Sequence, residues 1–453
     1  MRDLFKKPKD DLLFNNKALL ILILPMIAEL LLNFSVGLAD SVMVASVGES
    51  AVSGVSLVDN IFALILMLFS AMSNGGAVVA GQYIGSRNQK EARKSATELV
   101  WSNICLGIIV MLIIYCIQGF ILNVVFGSIS PDVYANARTY LNIVNLSVPF
   151  MAMYNSTAAI FRATGNTRLI TLDALLMGMV NIAGNAIGIY VLHAGIAGVA
   201  IPTFFSRAFG GLLMLVLLLR PTNPLTIERT LRHRFDWGMV KKILTIGIPS
   251  GFENSLFQIG KIILLSVIST FGTTAITANA VSGSIVTIQC IPGNVMSMAI
   301  MTVVAQSVGA GDYAQAKYYT RKLLGLAYAG MAVWCAFMYM LLPGILYIYQ
   351  LSPETTQLTR LIVCSHMAVS ILIWPCAFVL PATLRASGDV RFPMIVSVLS
   401  MFMVRILLSY VLAVGLGLGV LGTWIGMYFD WSVRGLFFVI RYLKGKWMNF
   451  RVI

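Results

Sequence analysis

Long apolar runs separated by short polar segments dominate the chain, and the length of those runs decides what they are. A hydrocarbon layer about 30 Å thick takes roughly 20 apolar residues of helix. Runs of that kind predict membrane spans at 17–42, 53–80, 95–118, 136–159, 169–192 and 196–219. A polar stretch, 220–242, follows. Six more spans fall at 243–270, 276–305, 320–342, 358–381, 392–414 and 419–441. The run after Lys17 is too long for a cleavable signal and lacks a small-residue cleavage site, so the first span is expected to be its own insertion signal.

The two sets of six resemble each other. Leu24-Pro25-Met26-Ile27-Ala28-Glu29 matches Ile248-Pro249-Ser250-Gly251-Phe252-Glu253, and Gln82-Tyr83-Ile84-Gly85 matches Gln306-Ser307-Val308-Gly309. Ser130-Pro131-Asp132 matches Ser352-Pro353-Glu354, and Arg162-Ala163-Thr164-Gly165-Asn166 matches Arg385-Ala386-Ser387-Gly388-Asp389. Four matches in one order at nearly one spacing define an internal repeat. Six spans is an even number, so the second copy enters the membrane from the same side as the first. The expected architecture is an all-α polytopic membrane protein of twelve transmembrane helices. It has two parallel six-helix repeats, 1–219 and 243–453, joined by a cytoplasmic linker at 220–242. A pseudo-two-fold axis along the membrane normal relates them, with a substrate cleft between the halves, as parallel-repeat transporters have.

Composition agrees with lipid as the solvent. Of 453 residues 58% are hydrophobic and only 11% are charged, against about a quarter charged in soluble domains. The formal charge of +14 is a matter of position. Arg2, Lys6, Lys7, Lys9 and Lys17 precede the first span, Arg229, Arg232, Lys241 and Lys242 lie in the linker, and Arg434, Arg441, Lys444, Lys446 and Arg451 close the chain. With the loops after spans two, four, eight and ten, these cations place both termini and the linker on the cytoplasmic side of a cell membrane. That distribution excludes nucleic acid as the reason for the charge. The six cysteines sit singly in apolar runs and form neither a disulfide framework nor a zinc pattern. Gly417-Leu418-Gly419-Val420-Leu421-Gly422 fits GxGxxG, but no strand precedes it, so it is no dinucleotide site. Nothing points to an enzyme or an organic cofactor. The expected partners are lipid and small organic substrates, with no obligatory protein partner.

Charged groups inside a span are costly and invite functional readings. Glu29 and Glu253 stand four residues after Pro25 and Pro249, which remove a helix hydrogen bond and favour local kinks. Both are expected to line the cleft and to attract cations or carry protons, with Tyr154 and Asn155 beside Pro149 as further lining. Asp40 lies three helical turns beyond Glu29 on nearly the same face. Its repeat partner is Leu264, so this carboxylate breaks the symmetry and is a candidate for ion coupling. Lys261 is unusual in span seven; pairing with a carboxylate and snorkelling both remain open. Asp59, Asp173, Arg207, Arg405 and Asp430 are assigned structural or interfacial roles, and His366 core packing.

At Gly247-Ile248-Pro249…Glu253, Gln82-Tyr83-Ile84-Gly85, the paired Arg-Ala-Thr/Ser-Gly loops and Gly195–Thr203, the chain resembles the multidrug and toxic compound extrusion (MATE) family over essentially its whole length. The resemblance implies a V-shaped antiporter expelling amphipathic, often cationic, compounds in exchange for Na⁺ or H⁺. It also implies that Asp40 belongs to a cation site with Asn181, Asn185 and Thr203 as neighbours, a place for Na⁺, and that Glu253 is the family's glutamate in span seven. Related members carry an aspartate at Asn185, and some carry one at Trp374, so a second acidic site in the C-terminal half is not expected. A major-facilitator-type porter and a lipid or oligosaccharide flippase are the alternatives.

Overall fold

The computed structural model describes residues 12–127, 129–221, 223, 225–227, 234–450 and 452–453. Arg2, Lys6, Lys7, Lys9, Arg229, Arg232 and Arg451, which carry part of the charge asymmetry, lie outside them. The described chain is helical throughout. Its helices are α1 (Asn16–Ala45), α2 (Glu49–Gly85), α3 (Gln89–Val125), α4 (Pro131–Asn145), α5 (Val148–Ala163), α6 (Thr167–Val191) and α7 (Ala197–Leu218). Then follow α8 (Trp237–Ser269), α9 (Thr273–Gln289), α10 (Ile291–Gly309), α11 (Tyr313–Tyr349), α12 (Pro353–Ser387), α13 (Arg391–Gly415) and α14 (Gly419–Leu443).

These fourteen helices make the twelve expected passes. Passes four and eight are divided, into α4–α5 and α9–α10, because Pro149 and Pro292 have no N–H to continue the ladder and sit in the first turn of a new helix. Among the described residues ten helices are long and apolar enough to cross a membrane. The divided α4–α5 pair, and α14 with its internal Asp430 and Arg434, make the other two passes. Helix starts repeat along with the sequence. Asn88 caps α3 by accepting from the Glu91 N–H at 3.2 Å, and Asp312 caps α11 by accepting from Gln315 at 2.8 Å. Pro131 and Pro353 open α4 and α12.

Packing separates two compact units, Leu20–Gly251 and Phe252–Ile453 with the described residues up to Leu19. The boundary falls inside α8 instead of in the polar stretch before it. A Cβ on Gly75 of α2 would stand 2.5 Å from the Ile243 carbonyl, so α2 and the start of α8 are in backbone contact. The Lys242 ammonium donates to the Tyr83 hydroxyl at 2.7 Å. The chain start joins the other unit, where the Leu13 N–H donates to Gln315 at 3.0 Å and the Phe14 N–H to Tyr319 at 2.7 Å. The first unit packs Val58, Phe69, Tyr140, Val144 and Val148 into its core. A core of the second contains Ile285, Met338, Val363 and Met367.

Candidate functional site

Small residues decide how closely α1, α6 and α7 approach. A Cβ on Gly188 would lie 2.3 Å from the Gly198 carbonyl, and one on Gly178 would lie 2.6 Å from Val36. Only glycine lets these backbones meet. The result is a cavity of about 370 Å³ inside the first unit, lined by Asp40 of α1, Asp59 of α2, Tyr140 of α4, Asn181 of α6 and Thr203 and Arg207 of α7. The Asn185 amide donates to the Asp40 carboxylate. Asn181 donates to Thr203 at 3.4 Å, and the Thr203 hydroxyl donates to the Val199 carbonyl at 2.9 Å. Asn185 Oδ1 is buried with no hydrogen-bond partner among the described residues. An oxygen left that way is costly unless a hydrogen-bond donor or a cation meets it.

The structure therefore gathers Asp40, Asn181, Asn185 and Thr203 in one place and adds three residues that sequence reasoning sets aside or passes over. Asp59 accepts from the Tyr140 hydroxyl at 3.4 Å, while Arg207 donates to Ser147 at 3.2 Å and lies over the Phe62 ring at 5.4 Å. Two acids and one base thus line the cavity, a set of oxygen donors suited to a hard cation or a proton. A signal for Asp59 exists in the sequence: its repeat partner is Gly283, so it breaks the repeat just as Asp40 does.

The other predicted residues lie elsewhere. Glu29 is buried and accepts from Arg162 at 2.6 Å; Glu253, of the other unit, accepts two bonds from Arg385, both 2.8 Å. The two arginines sit in the last turns of α5 and of the helical stretch Leu380–Ser387, and reach back to the glutamates, so each repeat neutralises its own carboxylate. A carboxylate held in that way does not draw a cation unaided. Tyr154 has a buried hydroxyl with no partner among the described residues, and Asn155 turns back to the Met151 carbonyl at 2.8 Å. Arg434, which the sequence places among the loop cations, is instead buried in α14 and pairs with Asp430 at 2.9 and 3.0 Å. At Pro25 the Ile21 carbonyl, which the imino nitrogen cannot serve, accepts from the Thr167 hydroxyl at 3.3 Å, and the Pro25 carbonyl accepts from Thr171 at 2.7 Å. α6 thus fastens the weak point of α1.

The second unit has a cavity of its own, about 500 Å³, with Lys261 and Arg405 in an aromatic wall. Trp374 stacks on Phe378 at 5.0 Å and lies against Gly293, where a Cβ would meet its ring. That indole stands at the position where the resemblance gives some related members an aspartate. His366 donates its Nδ1–H to Gln289 at 3.0 Å, an assignment that follows from the Gln289 amide donating to Ser370 at 2.8 Å. Among the described residues no cluster of three or more His, Cys, Asp or Glu side chains could hold a metal ion.

Comparison with known proteins agrees with this organisation. The model of the MatE family matches twice, at 25–187 and 249–411, beginning at Pro25 and at its repeat partner Pro249. The uncharacterized transporter YisQ of Bacillus subtilis is 25% identical, over 98% of this chain and 97% of its own length. The probable multidrug resistance protein NorM of Thermotoga maritima is 26% identical, over 98% and 96%. The solved outward-facing structure of a multidrug resistance MATE family transporter of the MOP superfamily superposes with a TM-score of 0.88 at 20% identity, covering 99% of this chain and 98% of that one.

Proposed function

The chain belongs to the MatE family, a transporter family and not one of catalysts, and on that premise we propose that it is a secondary antiporter. It expels amphipathic organic compounds, organic cations among them, and is driven by inward flow of Na⁺ or H⁺. The observation that carries the reading is the cavity around Asp40. Two carboxylates, Asp40 and Asp59, line it with Asn181 and Thr203, and the Asn185 amide holds Asp40, which supports coordination of Na⁺ or acceptance of a proton. Asp40 is the coupling group in this proposal, with Asn181, Asn185 and Thr203 as its neighbours. Glu29 and Glu253 are conformational latches, since arginine already neutralises them. The protein spans the cell membrane with both termini cytoplasmic and needs no organic cofactor and no obligatory protein partner.

In mechanism, a cation at Asp40 draws its oxygen neighbours inward and shifts α1 about Pro25 against Thr167 and Thr171, repacking the wall of the first unit. The test is efflux of a fluorescent organic cation from proteoliposomes under an imposed Na⁺ or H⁺ gradient. Stimulation by one gradient and not the other supports antiport and identifies the ion. Transport that ignores both gradients would remove the antiport reading and favour a flippase.

A further inference from the structure

Pairing the starts of the two family-matched stretches sets Asp40 against Leu264, Asp59 against Gly283 and Gly37 against Lys261, and pairing α6 with α13 end to end sets Asn181 against Arg405. All eight residues line the cavity of their own unit. The two cavities are therefore the same place in the two repeats, with their chemistry reversed. Each acid of the first has become apolar in the second, and two cations stand where the first has glycine and asparagine. Among the described residues no Asp or Glu lines the second cavity.

Those cations are not spent on the protein. Lys261 Nζ and the Arg405 guanidinium lie 5.2 and 5.4 Å from the centroid of one ring, Phe257. Neither makes an ion pair or hydrogen bond among the described residues, and Arg405 Nε is buried without an acceptor. The carboxylate of Asp430 is already taken, by two nitrogens of Arg434 and by the Ser400 hydroxyl. Two cations gathered about one ring in a desolvated wall repel each other, and contact with a phenyl face offsets only part of that. The rest of the lining is uncharged, apolar or neutral polar, with Trp374, Trp424 and Trp431 around the space.

We infer that this cavity binds a small amphipathic organic anion, an aryl carboxylate or sulfonate, with its acid group between Lys261 and Arg405 and its ring among the three tryptophans. The inference deepens the transport reading by naming a substrate class, and it rests on that reading for its purpose. Its test, however, is binding and needs no transport.

Three of the chain's seven tryptophans line the cavity, so an electron-poor ring bound there quenches emission. We would titrate purified full-length protein with 4-nitrobenzenesulfonate and with its cationic counterpart 4-nitrobenzyltrimethylammonium. The expected result is saturable quenching by the sulfonate at a Kd at least tenfold below that of the cation. Lys261→Met and Arg405→Met should each weaken the sulfonate at least tenfold. Lys261→Arg should retain binding, which separates loss of charge from loss of fold. Equal affinity for the two probes, or a sulfonate Kd indifferent to both methionine variants, would overturn the inference, as would displacement of the probe by phosphatidylglycerol. Tight sulfonate binding by a protein with no gradient-driven efflux would leave this site standing and remove the antiport reading instead.

Discussion

Replacing Asp40 by asparagine changes a charge and almost nothing else, so it isolates what the carboxylate contributes. The substituted amide keeps an oxygen where Asp40 now accepts from the Asn185 amide. The hydrogen bond then falls from the roughly 1.5–3 kcal/mol of a charged pair to about 1 kcal/mol. Against that loss stands relief from burying an ionised group, and the two nearly cancel. Thermal unfolding should move little. Ion binding should not be spared. A cation about 4 Å from a carboxylate gains about 4 kcal/mol at an effective dielectric constant near 20, which is roughly a thousandfold in affinity. Asp59 remains, but Tyr140 and Arg207 engage or offset it. The assay is initial efflux from proteoliposomes with the driving gradient imposed and the potential clamped, beside substrate counterflow with no gradient. Asp40→Asn should lose the gradient-dependent component and keep counterflow. If the variant is stimulated by the gradient as strongly as the unmodified protein, Asp40 is not the coupling group and the argument from the cavity fails.

Glu253→Gln and Arg385→Gln each leave one member of a bidentate pair without its partner; removal of one partner from a buried pair costs about 3–5 kcal/mol, so the double variant should unfold at a higher temperature than either single one. Asp430→Asn strands Arg434, which is 2% exposed, and should cost a similar amount in the same thermal assay, whereas Asp173→Asn removes a buried carboxylate with no hydrogen-bond partner among the described residues and should be neutral or stabilising. Gly198→Ala sets a Cβ 2.6 Å from the Gly188 carbonyl; spreading α6 from α7 should cost about 1–3 kcal/mol and weaken gradient-driven efflux more than counterflow, because Asn181 and Thr203 would no longer meet. At the start of α8 the Lys94 ammonium holds Asp236 below its ordinary carboxylate value, with the Met239 and Gly238 N–H groups assisting. A lowered pKa gives stabilisation that is complete above the usual value of about 3.9 and is lost only as pH falls through and below it, so hydrogen exchange protection of those two amides should not respond to Asp236 titration between pH 6 and 8.

Fold is easier to read than site because the two are encoded at different ranges. Twenty-residue apolar runs and a repeat with Pro25 and Pro249 at matching positions are local facts that any lipid-facing helix must display. Breaks at Pro149 and Pro292 are also written locally, but a hydropathy average smooths over a single turn. What no local reading can supply is partnership. Glu29 and Arg162 are far apart in sequence and 2.6 Å apart in the fold; along the chain the same arginine reads as a topological charge, and the glutamate as one facing a cleft. Asp59 and Arg207 look structural one at a time and gain meaning only when α2 and α7 set them around the space that Asp40 faces. Lys261 stays between two readings in the sequence because the deciding fact is an absence of carboxylates from its surroundings, and surroundings are a property of the packed unit.

Reversed polarity in equivalent cavities has an energetic consequence for transport. Consider one-for-one exchange at an inside-negative potential, with a cation entering through the first unit. If an organic cation leaves, no net charge moves and the potential does no work. If an organic anion leaves, two positive charges move inward, and each is worth about 2.3 kcal/mol per 100 mV. A potential of 100 mV then supplies about 4.6 kcal/mol per cycle, enough to raise the attainable outward gradient about a thousandfold before any ion gradient is counted. A transporter with two acids in one cavity and, in the matching cavity of the other unit, two cations that have no salt bridge among the described residues is arranged to profit from that term. Anion efflux from proteoliposomes clamped with valinomycin should accordingly rise steeply with inside-negative potential while organic-cation efflux stays flat; two flat responses would mean that the charges at Lys261 and Arg405 serve the packing of α8 and α13 and not the cargo.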